Sequence, residues 1–320
     1  MHNITFAPKG VSISAAADET ILEAATRQGL SMPKACINGV CHICEGFLMR
    51  GQVEGPQGII DEPGAQVLCC MAMADSDVEL NMPSIFAAGE LPQVEVAFQI
   101  SSVQLLRDNI YEINLLAPAG KLTRFFAGQY LELLIPGQSY AYFTIASAPG
   151  KRELQLHLGI SDENSSSQDI LHYLQNNSVV RVKLPMGDVW LDKTPAVPLI
   201  LVAAGTGFAQ AKAIIEALPD ADIRLYWINR SMEGFYSNLP NEWAHSGRIR
   251  YRGIVSHDEK PAEAELVENL IAADVGDLSR MLVIACGGPG FVYSVLDGLV
   301  AKGMPENLMR SDVFAYAPRH

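Results

Sequence analysis

The hydrophobic pattern changes character three times along the 320-residue chain. At its start, Ile4-Thr5-Phe6 and Val11-Ser12-Ile13 alternate apolar and polar positions, the period-two signature of half-buried strands. Between Asp18 and Gly29 the period becomes helical. Ile21, Leu22 and Ala25 form an apolar face, Asp18, Glu19 and Thr20 supply N-terminal negative charge and a cap, and Gly29 offers a left-handed stop. Another strand is expected near Val78-Glu79-Leu80. From Val94 to about Leu191 six β-rich runs follow, at Val94 to Ile100, Ile110 to Leu116, Gln129 to Ile135, Tyr142 to Ala146, Glu153 to Leu158 and Val179 to Leu184. They predict a closed antiparallel six-stranded barrel, interrupted by one helix that begins near Ser167-Gln168-Asp169 and carries Ile170, Leu171 and Leu174 on one side. After Pro198 the text reads strand, glycine turn, helix, strand. Leu199 to Ala203 is a continuous apolar run of the kind buried on both faces of a parallel sheet, Gly205-Thr206-Gly207 follows it, and Phe208, Ala211, Ile215 and Leu218 form the inner face of the next helix. Ile223 to Ile228 and Met281 to Cys286 are further buried strands, each ending at a turn where open parallel sheets hold ligands.

The pattern is that of a multidomain chain with α+β and α/β parts. A hydrophobic share of 49% and a mean hydropathy of +0.13 give material for two or three cores. The expected domains are 1–90, 91–193 and 194–320, with Asn81 to Pro92 as a linker in which two prolines and a glycine interrupt strand-like text. A net charge of −13 and a pI near 5.0 argue against nucleic acid as a partner and suit a basic docking site instead. The start has neither a basic nor an apolar leader region, and the apolar stretch from Pro198 to Ile215 is broken by the glycine turn and Lys212. A cytoplasmic, monomeric chain away from membranes is expected.

The most telling chemistry lies in Cys36-x₄-Cys41-x₂-Cys44 followed by Cys69-Cys70, the plant-type spacing of a 2Fe-2S cluster. Gly39 lets the loop turn tightly so that backbone N–H groups face the sulfurs. A structural zinc site more often pairs two C-x₂-C knuckles, which this run does not. The spacing alone leaves the fourth ligand open between Cys69 and Cys70. Cys286 stands apart, and the cysteines do not suggest a disulfide framework.

Gln66-Val67-Leu68-Cys69-Cys70-Met71 resembles the V-L-x-C segment that closes the ferredoxin motif, which implies Cys70 as the fourth ligand and residues 1 to 81 as a β-grasp ferredoxin. More broadly, the order of pieces resembles the ferredoxin-NADP reductase superfamily: the ferredoxin unit, a β-barrel containing Phe126-x-Gly128-Gln129-Tyr130 and Ala141-Tyr142-Phe143-Thr144-Ile145-Ala146-Ser147, the turn Ala204 to Phe208, Cys286-Gly287-Gly288-Pro289 and the terminal Asp312-Val313-Phe314-Ala315. The resemblance covers nearly the whole chain and points to the branch of NAD(P)H:flavin reductases, Rieske oxygenase reductases and deoxysugar reductases. It implies a barrel that binds FAD, a Rossmann-like domain that binds NAD(P)H with NADH favoured, and a protein electron acceptor, either an oxygenase or a dehydratase component; free flavin is another acceptor, and a cluster-binding redox sensor or carrier is the non-enzymatic reading.

Carried onto this chain, the resemblance implies that Phe143 lies on the flavin ring, Thr144 hydrogen-bonds near its N5, and His157, Leu158 and Gly159 run along its edge. Ser165, Ser166 and Ser167 precede a helix whose N-terminus suits a pyrophosphate; capping alone is the simpler role for them. The nucleotide falls to Gly205, Thr206, Gly207, Phe208, Gly287, Gly288 and Pro289, with Arg230 at the adenosine ribose or a 2′-phosphate. Cys286 is expected beside the nicotinamide C4 and Phe314 over the flavin ring, although a strand-end cysteine is also commonly an inert core thiol. Three positions depart from the family pattern. Ala141 stands where a phosphate-binding arginine is usual, which shifts that task to Arg124 or Lys121 or leaves the flavin tail weakly held. Ala204 precedes the G-T-G, and Gln210 replaces a common proline. His2, His42, His172, His245, His257 and His320 are scattered and read as solvated or structural, as do the polar faces between Ala262 and Ala272.

Overall fold

The computed structural model describes residues 1–86, 91, 93–120, 123–139, 141–161, 165–229, 234–255 and 260–319, with backbone only for 260–265. Arg230, Lys121, His257 and His320 therefore lie outside the described residues. The chain divides into two compact units, Met1–Pro92 with Asp192–Val197, and Gln93–Leu191 with Pro198–His320.

In the first unit, β1 (His2–Ala7), β2 (Val11–Ala15), β3 (Glu45–Arg50), β6 (Gln66–Leu68) and β8 (Val78–Asn81) form a sheet in the order β2-β1-β8-β3-β6. β1 and β8 run parallel and β1 and β2 antiparallel. A smaller sheet joins β4 (Val53–Gly55), β5 (Gly58–Ile60) and β7 (Met73–Ala74). Helix α1 (Ile21–Arg27) starts at Thr20, whose hydroxyl accepts from the Glu23 N–H while the Glu23 carboxylate accepts from the Thr20 N–H. This reciprocal cap satisfies two of the helix's orphan donors. Ile21, Leu22, Ala24 and Ala25 face a core that includes Ile4, Phe6, Leu48 and Leu80. The segment expected to be a linker begins as part of this core. Met82 and Ile85 are buried, and Phe86 exchanges backbone hydrogen bonds with Ser31. Their apolar side chains keep the chain on the unit past the proline at Pro83.

In the second unit, β9 (Val94–Arg107), β10 (Ile110–Leu116), β11 (Tyr130–Leu134), β12 (Tyr142–Thr144), β13 (Glu153–Gly159) and β14 (Val179–Met186) form an antiparallel sheet ordered β12-β11-β14-β9-β10-β13. The two outer strands are joined just beyond β12, where Ala146 N–H donates to Gln155 at 2.7 Å. β12 is shorter than its sequence run because Ile145 and Ala146 turn away to bond Gln129 and Gln155. Helix α2 spans Ser165–Asn176, so the three serines form its first turn rather than precede it.

Strands β15 (Leu199–Ala204), β16 (Ile223–Asn229), β17 (Arg250–Val255), β18 (Leu282–Cys286) and β19 (Met309–Arg310) form a parallel sheet ordered β17-β16-β15-β18-β19. Its helices are α3 (Phe208–Ala217), α4 (Leu239–His245), α5 (Lys260–Val275), α6 (Pro289–Ala301) and α7 (Val313–Tyr316). The strand order reverses between β15 and β18, the place where such sheets open a ligand crevice. The reading of α5 as merely solvated is corrected: Val267 and Ile271 are fully buried, and Glu268 is buried against Lys302 at 3.1 Å. Among the described residues no helix is long and apolar enough to cross a membrane.

Candidate redox sites

The loop from Cys36 to Cys44 is held in an unusual conformation. Ile37, Gly39 and His42 all have positive φ, at 56°, 79° and 58°. A β-branched residue in this region is strained, so the surrounding structure must enforce the turn. The turn brings the sulfurs together in pairs. Cys41 N–H donates to Cys36 Sγ at 3.3 Å, Cys36 N–H to Cys41 Sγ at 3.4 Å, and the two side chains hydrogen-bond each other. Cys44 and Cys70 form a second thiol pair. The Cys41 thiol holds Cys36 down to about 5, helped by N–H groups of Asn38, Cys41 and Val40. Cys70 is likewise lowered, by Cys44 and then by the Gly39 N–H.

This arrangement fits a binuclear cluster, which needs two thiolates on each iron and N–H groups aimed at sulfur. Among the described residues no three of His, Cys, Asp or Glu converge on a single metal-ion position; the four sulfurs instead group two and two. Cys69 has no place in either pair. It is fully buried, burial pushes its thiol up, and its backbone carbonyl accepts from Leu22 at the start of α1. Sequence reasoning missed the segment Asp192–Val197, which completes this unit. Ala196 N–H donates to the Cys41 carbonyl at 2.9 Å and Lys193 Nζ to the Glu45 carbonyl at 3.1 Å. Its distance along the chain from the cysteines left no local signal.

The second site forms at the C-terminal ends of β15 and β18, where Ala203 and Cys286 are register partners. A Cβ on Gly207 would sit 2.3 Å from the Cys286 carbonyl oxygen, and one on Gly287 would sit 3.1 Å from the Ala204 Cβ. The first glycine turn therefore packs on the Cys286 backbone and the second on the Ala204 methyl group, and α3 and α6 begin beside them, the latter from Gly288 and Pro289. The Trp227 indole donates to the Gly205 carbonyl at 2.9 Å and fixes the first turn. This support from β16 was legible in the sequence only as a buried strand residue.

The barrel reaches the same place. A Cβ on Gly159, at the end of β13, would lie 3.3 Å from Thr206 Cγ2. The other members of that trio are enclosed. Leu158 belongs to the barrel core, and His157 is buried with Nδ1 3.0 Å from the Tyr236 hydroxyl, its ring stacked 6.3 Å from Phe208. Burial, then the charge of Lys212, pushes His157 down to about 3. Phe208 itself is fully buried and stacks 4.2 Å from Trp227, which makes it a core residue rather than an open ligand contact. Phe143 and Thr144 are half-buried on β12, opposite Leu131 and Tyr130. Ala141 lies in the barrel core at 2% exposure, and Arg124 is exposed.

Ser166 donates to Gln138 Oε1 at 2.5 Å, and the buried Ser167 hydroxyl accepts from Ser161 N–H at 3.3 Å. Both hydroxyls thus tie α2 to neighbouring loops. Cys286 is buried, and burial followed by the charge of Asp312 pushes its thiol up. Asp312, which sequence reasoning named only within the terminal motif, is itself raised to about 6 by burial, against the opposing hydrogen bond from Gln210. Phe314 packs on Tyr293, with centroids 5.4 Å apart, beside a cavity of about 800 Å³ also lined by Leu296, Val300 and Arg319.

Helix α3 is anchored to the barrel by two further buried side chains. Lys212 Nζ donates to the Ala146 carbonyl at 3.1 Å and to Glu216 at 2.6 Å, and Glu216 accepts from Ala148 N–H at 3.4 Å and Lys151 at 3.2 Å. Gln210 Nε2 donates to the Gly128 carbonyl at 2.8 Å and to Asp312 Oδ2 at 3.1 Å. The barrel and the glycine turn that opens α3 are consequently fixed to one another within this unit.

Residues 4–75 match the model of the 2Fe-2S iron-sulfur cluster binding domain. Across nearly the full length, the chain is 30% identical to reductase component 2 of the terephthalate 1,2-dioxygenase of Comamonas sp, over 336 residues covering 99% of this chain and 98% of that one. It is 28% identical to the CDP-6-deoxy-L-threo-D-glycero-4-hexulose-3-dehydrase reductase of Yersinia pestis, covering 98% of both. Among solved structures, a cytochrome P450 reductase from Amycolatopsis shares the fold with a TM-score of 0.61 at 20% identity, covering 98% of both chains. Phthalate dioxygenase reductase gives a TM-score of 0.56 at 21% identity over 69% of this chain and 67% of that one.

Proposed function

The chain belongs to the ferredoxin-NADP reductase superfamily, as a member with an N-terminal 2Fe-2S domain, and we propose that it delivers electrons from NAD(P)H to the oxygenase component of a Rieske-type system. It is an NAD(P)H-dependent iron-sulfur flavoprotein oxidoreductase. A bound flavin would supply the conversion between hydride acceptance from NAD(P)H, two electrons with their proton, which leaves NAD(P)⁺, and one-electron release to the cluster. The protein's own part is to bind each of these groups and to orient the nucleotide against the flavin site within the second unit.

The observation that carries the reading is the pairing of Cys36 with Cys41 and of Cys44 with Cys70 in the same chain as two abutting glycine turns. A nucleotide that gives electrons in pairs and a cluster that takes them one at a time require a converter between them. Phe143 and Thr144 are the residues we assign to the flavin ring, and Gly205 to Gly207, Gly287, Gly288 and Pro289 to the nucleotide. The buried Cys286 and the half-buried Asp312, near one another at the strand ends, are the residues we assign to the place where the two meet. The full-length similarity to the terephthalate dioxygenase component supports an oxygenase as acceptor, with the barrel within Gln93–Leu191 and the parallel sheet within Pro198–His320 acting as the flavin and nucleotide modules.

A deoxysugar dehydratase is the second reading, supported by the similarity to the Yersinia reductase over 98% of both chains. Reconstitution separates them. The purified reductase with NADH should sustain turnover with a terephthalate-type oxygenase component and fail with a hexulose dehydratase component. Turnover with the dehydratase alone would reverse the assignment. Cluster bands without any flavin, and no bleaching by NADH or NADPH, would instead reduce the chain to a one-electron carrier.

A further inference from the structure

We propose that Gln210 is a positioning residue for the hydride step: its amide ties the start of α3 to the barrel at Gly128 and holds the Asp312 carboxylate beside Cys286. The inference rests on the hydride route of the preceding subsection. Gln210 is the third residue of α3 and only 4% exposed. A primary amide has two N–H donors, and here both are used on different parts of the unit, the Gly128 carbonyl at 2.8 Å and Asp312 Oδ2 at 3.1 Å.

Both partners are themselves constrained. Gly128 has φ 107°, and a Cβ there would lie 2.3 Å from the Val189 carbonyl oxygen, so its backbone has no freedom to follow a moving side chain. Asp312 sits at the start of α7, just after β19. It faces Gln210 of α3, Asp188 beyond β14, Arg310 of β19, Cys286 of β18, Tyr130 of β11 and Tyr316 of α7. The carboxylate accepts from the Gln210 amide and from the Val189 backbone N–H, and the amide is the stronger of these two holds on its orientation. The first turn of a helix accepts proline, because its N–H has no intrahelical partner. A proline, the residue that the family resemblance leads one to expect at 210, would leave α3 intact yet supply neither hydrogen bond. Glutamine adds a three-way tie among barrel, nucleotide turn and C-terminal segment, the three parts whose relative placement sets the distance from nicotinamide to flavin. Misplacement of reacting groups by as little as 1 Å costs on the order of 10²-fold in rate.

A merely structural glutamine would affect folding without selecting one kinetic step. The test uses the holoenzyme and the variant Gln210→Met, with Gln210→Pro as a second variant that the first helical turn tolerates. Stopped-flow flavin reduction should slow by at least about tenfold at saturating NADH, while the NADH dissociation constant stays within about twofold of wild type. The pH midpoint of that rate should move upward, because the lost hydrogen bond had favoured the Asp312 carboxylate. Independently of activity, amide hydrogen exchange across residues 126–130 should accelerate. Unchanged exchange with an unchanged rate and pH midpoint, or a loss confined to NADH affinity, would overturn the inference while leaving the hydride route standing. Failure of the wild-type holoenzyme to show any flavin bleaching by NAD(P)H would overturn both together.

Discussion

Gly207 and Cys286 are in backbone contact: the space a Cβ would need at position 207 is occupied by the Cys286 carbonyl oxygen, 2.3 Å away. Neither partner is the free end of a flexible side chain, so even the smallest substitution forces β15 and β18 apart at their ligand-facing ends. Gly207→Ala should lower NADH-dependent ferricyanide reduction by more than about tenfold, at a stability cost of about 1–3 kcal/mol. The cluster absorbance should be retained because the cysteines lie in the other compact unit. Steady-state assays beside a visible spectrum check both halves.

Cys69 and Cys70 are chain neighbours with opposite placements. Cys70 pairs with Cys44 and accepts from the Gly39 N–H, whereas Cys69 is sealed in the core with its carbonyl on α1. Cys70→Ser should abolish the cluster's visible and electron paramagnetic resonance signals. Cys69→Ser should keep them, at a cost of about 1–3 kcal/mol for burying a hydroxyl without a designed partner. Reversed outcomes would move the fourth ligand to Cys69.

His157 gives the second unit an acid limb. Burial holds it down to about 3, against an ordinary value of 6.5, so the folded protein keeps the ring neutral where the unfolded chain protonates. The sign follows: the stabilisation is complete above pH 6.5 and is lost as pH falls from 6.5 towards about 3. Its size is on the order of a few kcal/mol. His157→Gln keeps an acceptor for the Tyr236 hydroxyl but cannot protonate, so thermal unfolding between pH 7 and 4 should show a flatter acid limb for the variant than for wild type.

Much of this was legible in the chain because local rules and tertiary packing agreed. The period-two runs located the strands, Asp18, Glu19 and Thr20 announced the start of a capped helix, and the cysteine spacing located the paired sulfurs. What was not legible depends on contacts made across long sequence separations. Trp227 reaches the Gly205 carbonyl, Gln210 reaches Gly128 and Asp312, and Ala196 reaches the carbonyl of Cys41. No periodicity encodes such hydrogen bonds. Phe208 and Leu158 were drawn towards the site by their neighbours in sequence, but their apolar side chains gain more by burial in the core. At Met82 and Ile85 the same force outweighs the turn signals of the surrounding prolines.

The central claim is that electrons pass in series, from NAD(P)H through the flavin to the cluster and only then to a protein acceptor. The most direct measurement compares two acceptors in Cys44→Ser, a variant in which one sulfur of the Cys44–Cys70 pair is lost from the first unit while the barrel and parallel sheet keep their own cores. With the cluster shown to be absent by iron content and absorbance, NADH-dependent reduction of ferricyanide, which draws directly on the flavin, should stay near the wild-type rate. Reduction of cytochrome c or of the oxygenase component should collapse. Full protein-acceptor activity in this cluster-free variant would contradict the route.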